Sequence, residues 1–88
     1  MAIRISVDGH EVLIHEKEVT GRQIKEVARQ QGVDINMDLT LLRCFGDEIL
    51  IIPDDVAVRM RRHSGSFLTR SPEEIPDYNR ILEEHLRA

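Results

Sequence analysis

Aromatic side chains are nearly absent: the chain has no tryptophan, and Phe45, Phe67 and Tyr78 are its only rings. Any core is therefore aliphatic, assembled from Ile, Leu and Val. Cysteine is as scarce, and a lone Cys44 excludes an intrachain disulfide. Its setting between Arg43 and Phe45, with no base close in sequence, predicts a buried inert thiol rather than a nucleophile. The five glycines stand apart from one another, so neither a phosphate-cradling loop nor a nucleophile elbow is present. Long apolar runs are missing too. The longest, Ile49-Leu50-Ile51-Ile52, is far too short to span a membrane. Met1-Ala2-Ile3-Arg4 opens directly into alternation, with no signal-peptide core. These absences predict a cytoplasmic globular domain with no membrane partner.

What remains suits one small domain. A length of 88 residues is near the size where a single core is only just sufficient. With 41% hydrophobic and 32% charged residues the chain lies outside the disordered class. The net charge of −4 is unevenly spread. Arg59, Arg61, Arg62 and Arg70 fall in a stretch without acids, and Glu73, Glu74, Asp77, Glu83 and Glu84 follow. A solvated surface is the plain reading. The alternative is that the acidic tail, residues 71–88, lies against the body or a partner.

The stretch 19–32 reads as an amphipathic helix with both ends marked. Thr20 is a good N-cap, Gln23 completes a capping box, and Val19 with Ile24 suits a hydrophobic staple. Ile24, Val27 and Ala28 form the inward stripe. Arg22, Lys25, Glu26 and Arg29 are expected to face water, and Gly32 suits the position past the helix end. Before the helix, Ile3, Ile5 and Val7 alternate with polar residues, Asp8-Gly9 is a hairpin turn, and Val12 and Ile14 continue the alternation. A hairpin over 2–16 follows. After the helix, 33–38 is a loop, 40–45 a strand with Leu39, Leu41 and Leu42 competing to face inward, Gly46-Asp47 a turn, and 48–52 a second strand. Pro53-Asp54-Asp55 ends it. Val56, Val58 and Met60 mark a short strand or irregular segment, and 67–69 is the last strand candidate. Ser71-Pro72-Glu73-Glu74 has the ingredients of a helix start, but Pro76 interrupts it, so a helix from about 77 is expected, with Tyr78, Ile81, Leu82, His85 and Leu86 on one face.

A helix following an N-terminal hairpin and packed on a mixed sheet of four or five strands is α+β and matches the β-grasp arrangement, ββαββ(β), among other small α+β folds. Its first and last strands are parallel neighbours in the centre. Ile5-Ser6-Val7-Asp8-Gly9, Val19-Thr20-Gly21-Arg22-Gln23-Ile24-Lys25-Glu26-Val27-Ala28, Ile51-Ile52-Pro53-Asp54-Asp55 and Gly65-Ser66-Phe67 resemble the bacterial multiubiquitin family over residues 2–70. The resemblance implies a ubiquitin-like domain over 1–70, with protein partners that are activating (E1-like), conjugating (E2-like) and JAB-protease-like, and no cofactor. One departure stands out. Modifiers of this kind are activated at a flexible C-terminal glycine, whereas this sequence has no Gly-Gly and closes on Leu86-Arg87-Ala88. Activation at Arg87 or Ala88 after trimming, loss of conjugation, and a native end that this sequence lacks all remain open.

No catalytic or metal site emerges from the residues. His10 and His15, five apart on one strand, point to opposite faces, and His63 and His85 add no ligand spacing. Asp54-Asp55 reads as a solvated turn rather than a catalytic carboxylate pair. The Arg59, Arg61 and Arg62 cluster lacks interleaved aromatics in an acidic domain, which argues against nucleic acid. Two functions follow as expectations. One is a non-catalytic modifier handled by conjugation enzymes. The other is a non-covalent adaptor, with partner contacts through Tyr78, Ile81, Leu82 and Leu86 or through Arg59, Arg61 and Arg62.

Overall fold

Two residues with positive φ, Asp8 at 50° and Gly9 at 82°, close the first hairpin, the backbone that a tight two-residue turn between twisted strands requires. The computed structural model describes residues 2–60 and 65–75. The hairpin joins β1 (Ile3–Val7) to β2 (His10–Ile14). Pairing of Ile5 with Val12 and Ile3 with Ile14 sends Ile5, Val12 and Ile14 to one buried face. Next come β3 (Glu18–Thr20), the helix α1 (Gly21–Gln30), β4 (Thr40–Phe45), β5 (Glu48–Ile52), β6 (Ala57–Arg59) and β7 (Ser66–Arg70), then a single 3-10 turn, Pro72–Glu74. The five-stranded sheet has the order β2-β1-β7-β4-β5, while β3 and β6 pair separately. Only β1 and β7 run parallel; the other described pairs are antiparallel. First and last strands are thus central neighbours, as expected, within a mixed sheet crossed by one helix.

The helix ends are those that the residues predict. Thr20 Oγ1 accepts from the Gln23 amide at 3.2 Å, and Gln23 Oε1 accepts from the Thr20 amide at 2.8 Å. Gly32, with φ of 97°, follows the C-cap Gln31. Ile24 and Ala28 are fully buried and Val27 is half-buried. The Gln31 side chain reaches the outer edge of the sheet. Its Oε1 accepts from Leu13 N at 2.9 Å and its Nε2 donates to Leu13 O at 2.8 Å, so one side chain covers backbone groups of an edge strand.

Three expectations need correction. Lys25 does not face water but is 2% exposed, because three oxygens surround its amine, as described below. Cys44 is half-buried, not buried, since it lies on the sheet face away from the helix. Residues 18–20 do not simply lead into the helix but form β3, paired with β6. The capped sequence at Ser71 does turn, though only as one 3-10 turn, and the helix expected from about 77 lies outside the described residues. The competition among Leu39, Leu41 and Leu42 resolves by alternation. Leu41 enters the main core under the helix, Leu42 joins a second cluster on the opposite face, and Leu39 is half-buried.

Asp8 ties the parallel pair together. Its amide donates to Phe67 O at 2.9 Å, and its carboxylate accepts from Thr69 N at 2.9 Å, from Thr69 Oγ1 at 2.5 Å and from Arg70 Nη1 at 3.4 Å. A hairpin-turn residue thereby fixes β7, which is distant in sequence and pairs with β1 at few positions. Replacing Asp8 by Ala leaves Thr69 N without its partner and should cost about 1–3 kcal/mol in urea unfolding. Asp8→Asn, which keeps an acceptor and tolerates positive φ, should lose less.

Candidate functional site

The two most recognisable sequence motifs meet in one contact. Gly21 opens α1, and its amide donates to Val56 O at 3.2 Å, while Arg22 N donates to Asp54 O at 3.2 Å. Two otherwise unpaired helix amides are thus satisfied by the turn that ends β5. The approach is so close that a Cβ on Gly21 would lie 2.5 Å from Pro53 O and 2.8 Å from Ile52 O. No other residue fits there. One turn into the helix, Lys25 Nζ sits 2.6 Å from Asp54 Oδ1, 2.8 Å from Met37 O and 2.9 Å from Leu39 O. An ammonium has three hydrogens to donate, and all three have acceptors. These residues border a shallow cavity of about 360 Å³, lined also by Leu41, Ile51 and Ile52. With its amine committed, Lys25 is built as a clamp and not as a nucleophile.

The second region of interest is the sheet face away from α1. Cross-strand register places Leu68, Leu42 and Ile51 in one row over β7, β4 and β5, with Ser66, Cys44 and Ile49 in the next. Ile75 packs on Leu42, Ile51 and Leu68 and is 5% exposed. It is delivered by the 3-10 turn, where Glu74 Oε1 accepts from Ser71 Oγ at 2.8 Å and from Ser71 N at 3.1 Å. The Ser71 hydroxyl first, then its amide and the nearby Arg70 charge, hold the Glu74 carboxyl below the usual glutamate range against a small opposing effect of burial. Phe45, 39% exposed under the Arg43 guanidinium at 4.4 Å, alternates with Cys44 to the helix side, and on the outer face Ile49 remains 41% exposed. Over β1 and β2 the same face is mostly polar, with Arg4 paired to Glu11 at 3.0 Å.

Of the residues singled out in the sequence, Arg59 lies exposed on β6 opposite Glu18 of β3. Arg61, Arg62, His63, Tyr78, Ile81, Leu82, His85, Leu86, Arg87 and Ala88 lie outside the described residues. His10 and His15 are both exposed. Asp54 and Asp55 are not a carboxylate pair, because Asp54 is spoken for by Lys25. Among the described residues no three of His, Cys, Asp and Glu come together, and no helix is long and apolar enough to cross a membrane. Sequence reasoning missed Lys25, Asp8 and Ile75. Only Ile75 left a trace, as a lone apolar residue directly after a capped turn.

The chain has two lysines, Lys17, which is exposed, and Lys25, which is not. Brief treatment of the native protein with an N-hydroxysuccinimide acetate should acylate Lys17 and leave Lys25 unmodified. Lys25 should react only once denaturant opens the fold. Peptide mass mapping reads both, and equal labelling in the native state would contradict the clamp.

Comparison with known families agrees with this architecture. A family model described as multiubiquitin matches residues 3–64, from the start of β1 to just before β7. Among curated proteins and among solved structures, none matches the chain. The matched segment is most of the chain and contains both halves of the Gly21–Lys25–Asp54 contact, and on that ground the chain belongs to the multiubiquitin family of ubiquitin-like domains.

Proposed function

We propose that this chain is a ubiquitin-like protein of a bacterial conjugation pathway. In this reading it is a cytoplasmic, non-catalytic substrate handled by E1-like and E2-like enzymes and a JAB-like protease. Membership of the multiubiquitin family is the observation that carries the reading. The use of the distinctive motif residues for holding the fold supports it, since the domain then acts as a whole surface presented to other proteins. The activated end would lie at Arg87 or Ala88, adenylated with ATP and passed to an enzyme thiol. Contacts to partners would come from Arg59, Arg61 and Arg62, or from the stripe Tyr78, Ile81, Leu82 and Leu86.

A second reading, a non-covalent adaptor with the same fold, is favoured by a specific observation. Directly after the last strand the chain turns back and seats Ile75 on the sheet, whereas a reactive end works best as a free extension. Incubation of the full chain with ATP and its E1-like, E2-like and JAB-like partners, read by intact mass, separates the two. The conjugation reading expects trimming, a thioester or an amide adduct. An unchanged mass, with the enzymes active on a control substrate, would leave the adaptor.

A further inference from the structure

Among the described strands the five-stranded sheet has two edges, β2 and β5, and they are guarded differently. The two-residue turn at Asp8-Gly9 makes Val7 and His10 a hydrogen-bonded pair, so His10, Val12 and Ile14 bond to β1. The amides and carbonyls of Glu11 and Leu13 therefore point away from the sheet. Such a row is a ready template for a further strand. Leu13 is not left open. The Gln31 amide meets both of its backbone groups, donating to the carbonyl at 2.8 Å and accepting from the amide at 2.9 Å. One primary amide thus takes the place of a neighbouring strand's peptide group. Gln31 is the C-cap of α1, and directly after it Gly32, at φ of 97°, turns the chain inward to bury Val33. The guard is a long, exposed side chain, held by two bonds against its rotamer entropy.

The β5 edge is guarded by charge and proline. A second β5 paired antiparallel to it about Leu50 would bring the exposed acids Asp47 and Glu48 toward Asp54 and Asp55 of the other copy. Pro53 has no amide to continue the ladder. The β2 edge has neither guard. Two β2 strands paired antiparallel about Val12 set Glu11 opposite Leu13, and His10 opposite Ile14, of the other copy. The outward groups of Glu11 and Leu13 then all find partners, and no like charges face each other. Each Glu11 keeps its own Arg4 at 3.0 Å.

We propose that Gln31 is a stopper against strand pairing, and that the occupant it keeps out is the β2 edge of a second copy of this chain. With Gln31 on Leu13 the edge is closed and the protein is a monomer. Whatever draws that side chain away opens a surface for self-pairing. The inference concerns the isolated protein and stands whether or not the chain is conjugated.

The full chain is compared by sedimentation velocity, across a wide concentration range, as wild type, Gln31→Ala and Gln31→Ser. Both replacements are too short to reach Leu13, and circular dichroism establishes that each variant is folded. The wild type should stay at monomer mass, while both variants should move toward twice that mass as concentration rises. Amide hydrogen exchange should locate the contact. The Leu13 amide loses protection in the dilute variants, and the Glu11 and Leu13 amides gain it together in the concentrated ones. Adding Leu13→Pro, which the outward side of an edge strand tolerates, should return the variants to monomer. Folded variants that remain monomeric throughout would overturn the proposal. So would a wild type that dimerises equally well, or a variant dimer that survives Leu13→Pro.

Discussion

The fold depends on one buried ammonium. Removing a lysine amine from water is expensive, and it persists inside a protein only when its hydrogens are all accepted and its charge is met. Lys25 achieves this with the carbonyls of Met37 and Leu39 and the carboxylate of Asp54. Those three acceptors belong to the loop before β4 and the turn after β5, so a single side chain joins the helix to two otherwise separate connections. The Gly21 approach and the Lys25 clamp act on the same turn. The first brings the helix amides onto its carbonyls, and the second fixes its carboxylate. Asp54 keeps a side chain that is 56% exposed, so it remains hydrated while neutralising the buried charge, which lowers the cost of the arrangement.

The two faces of the sheet differ in composition. The helix side is closed: Phe67, Ile14, Ile24, Leu41, Val7 and Val12 are among its fully buried side chains. The opposite face begins polar over β1 and β2 and becomes apolar over β7, β4 and β5, with Ile75 as its first cover.

Much of this was legible in the sequence, and the failures have physical causes. β4 and β5 fall on the expected residues, because aliphatic runs bounded by Gly46-Asp47 and Pro53 leave little choice. The helix ends were readable from Thr20, Gln23 and Gly32, whose chemistry is local. The pairing of β3 with β6 was not, since a three-residue strand with one buried side chain carries no alternation to detect. Lys25 was assigned to water by residue type, although it borders the stripe of Ile24 and Ala28; its acceptors come from segments far along the chain. Asp8 announced a turn, but its bonds to Thr69 cross most of the sequence. The last strand is longer than the run 67–69, because pairing to β1 and β4, not its own pattern, defines Ser66 and Arg70 as strand. In the candidate surface, Leu42, Ile49 and Leu68 were seen as strand residues, and only register reveals that they share a face.

The claim at the centre is that the Lys25 amine and the Asp54 carboxylate act as a unit. A double-mutant cycle of Lys25→Met and Asp54→Asn, measured by urea unfolding, tests it most directly. The account predicts that Asp54→Asn destabilises the wild type but is nearly neutral in the Lys25→Met background, with a coupling of about 1 kcal/mol or more. Effects that simply add, to within about 0.5 kcal/mol, would show that the buried amine is held without its carboxylate and would contradict the account.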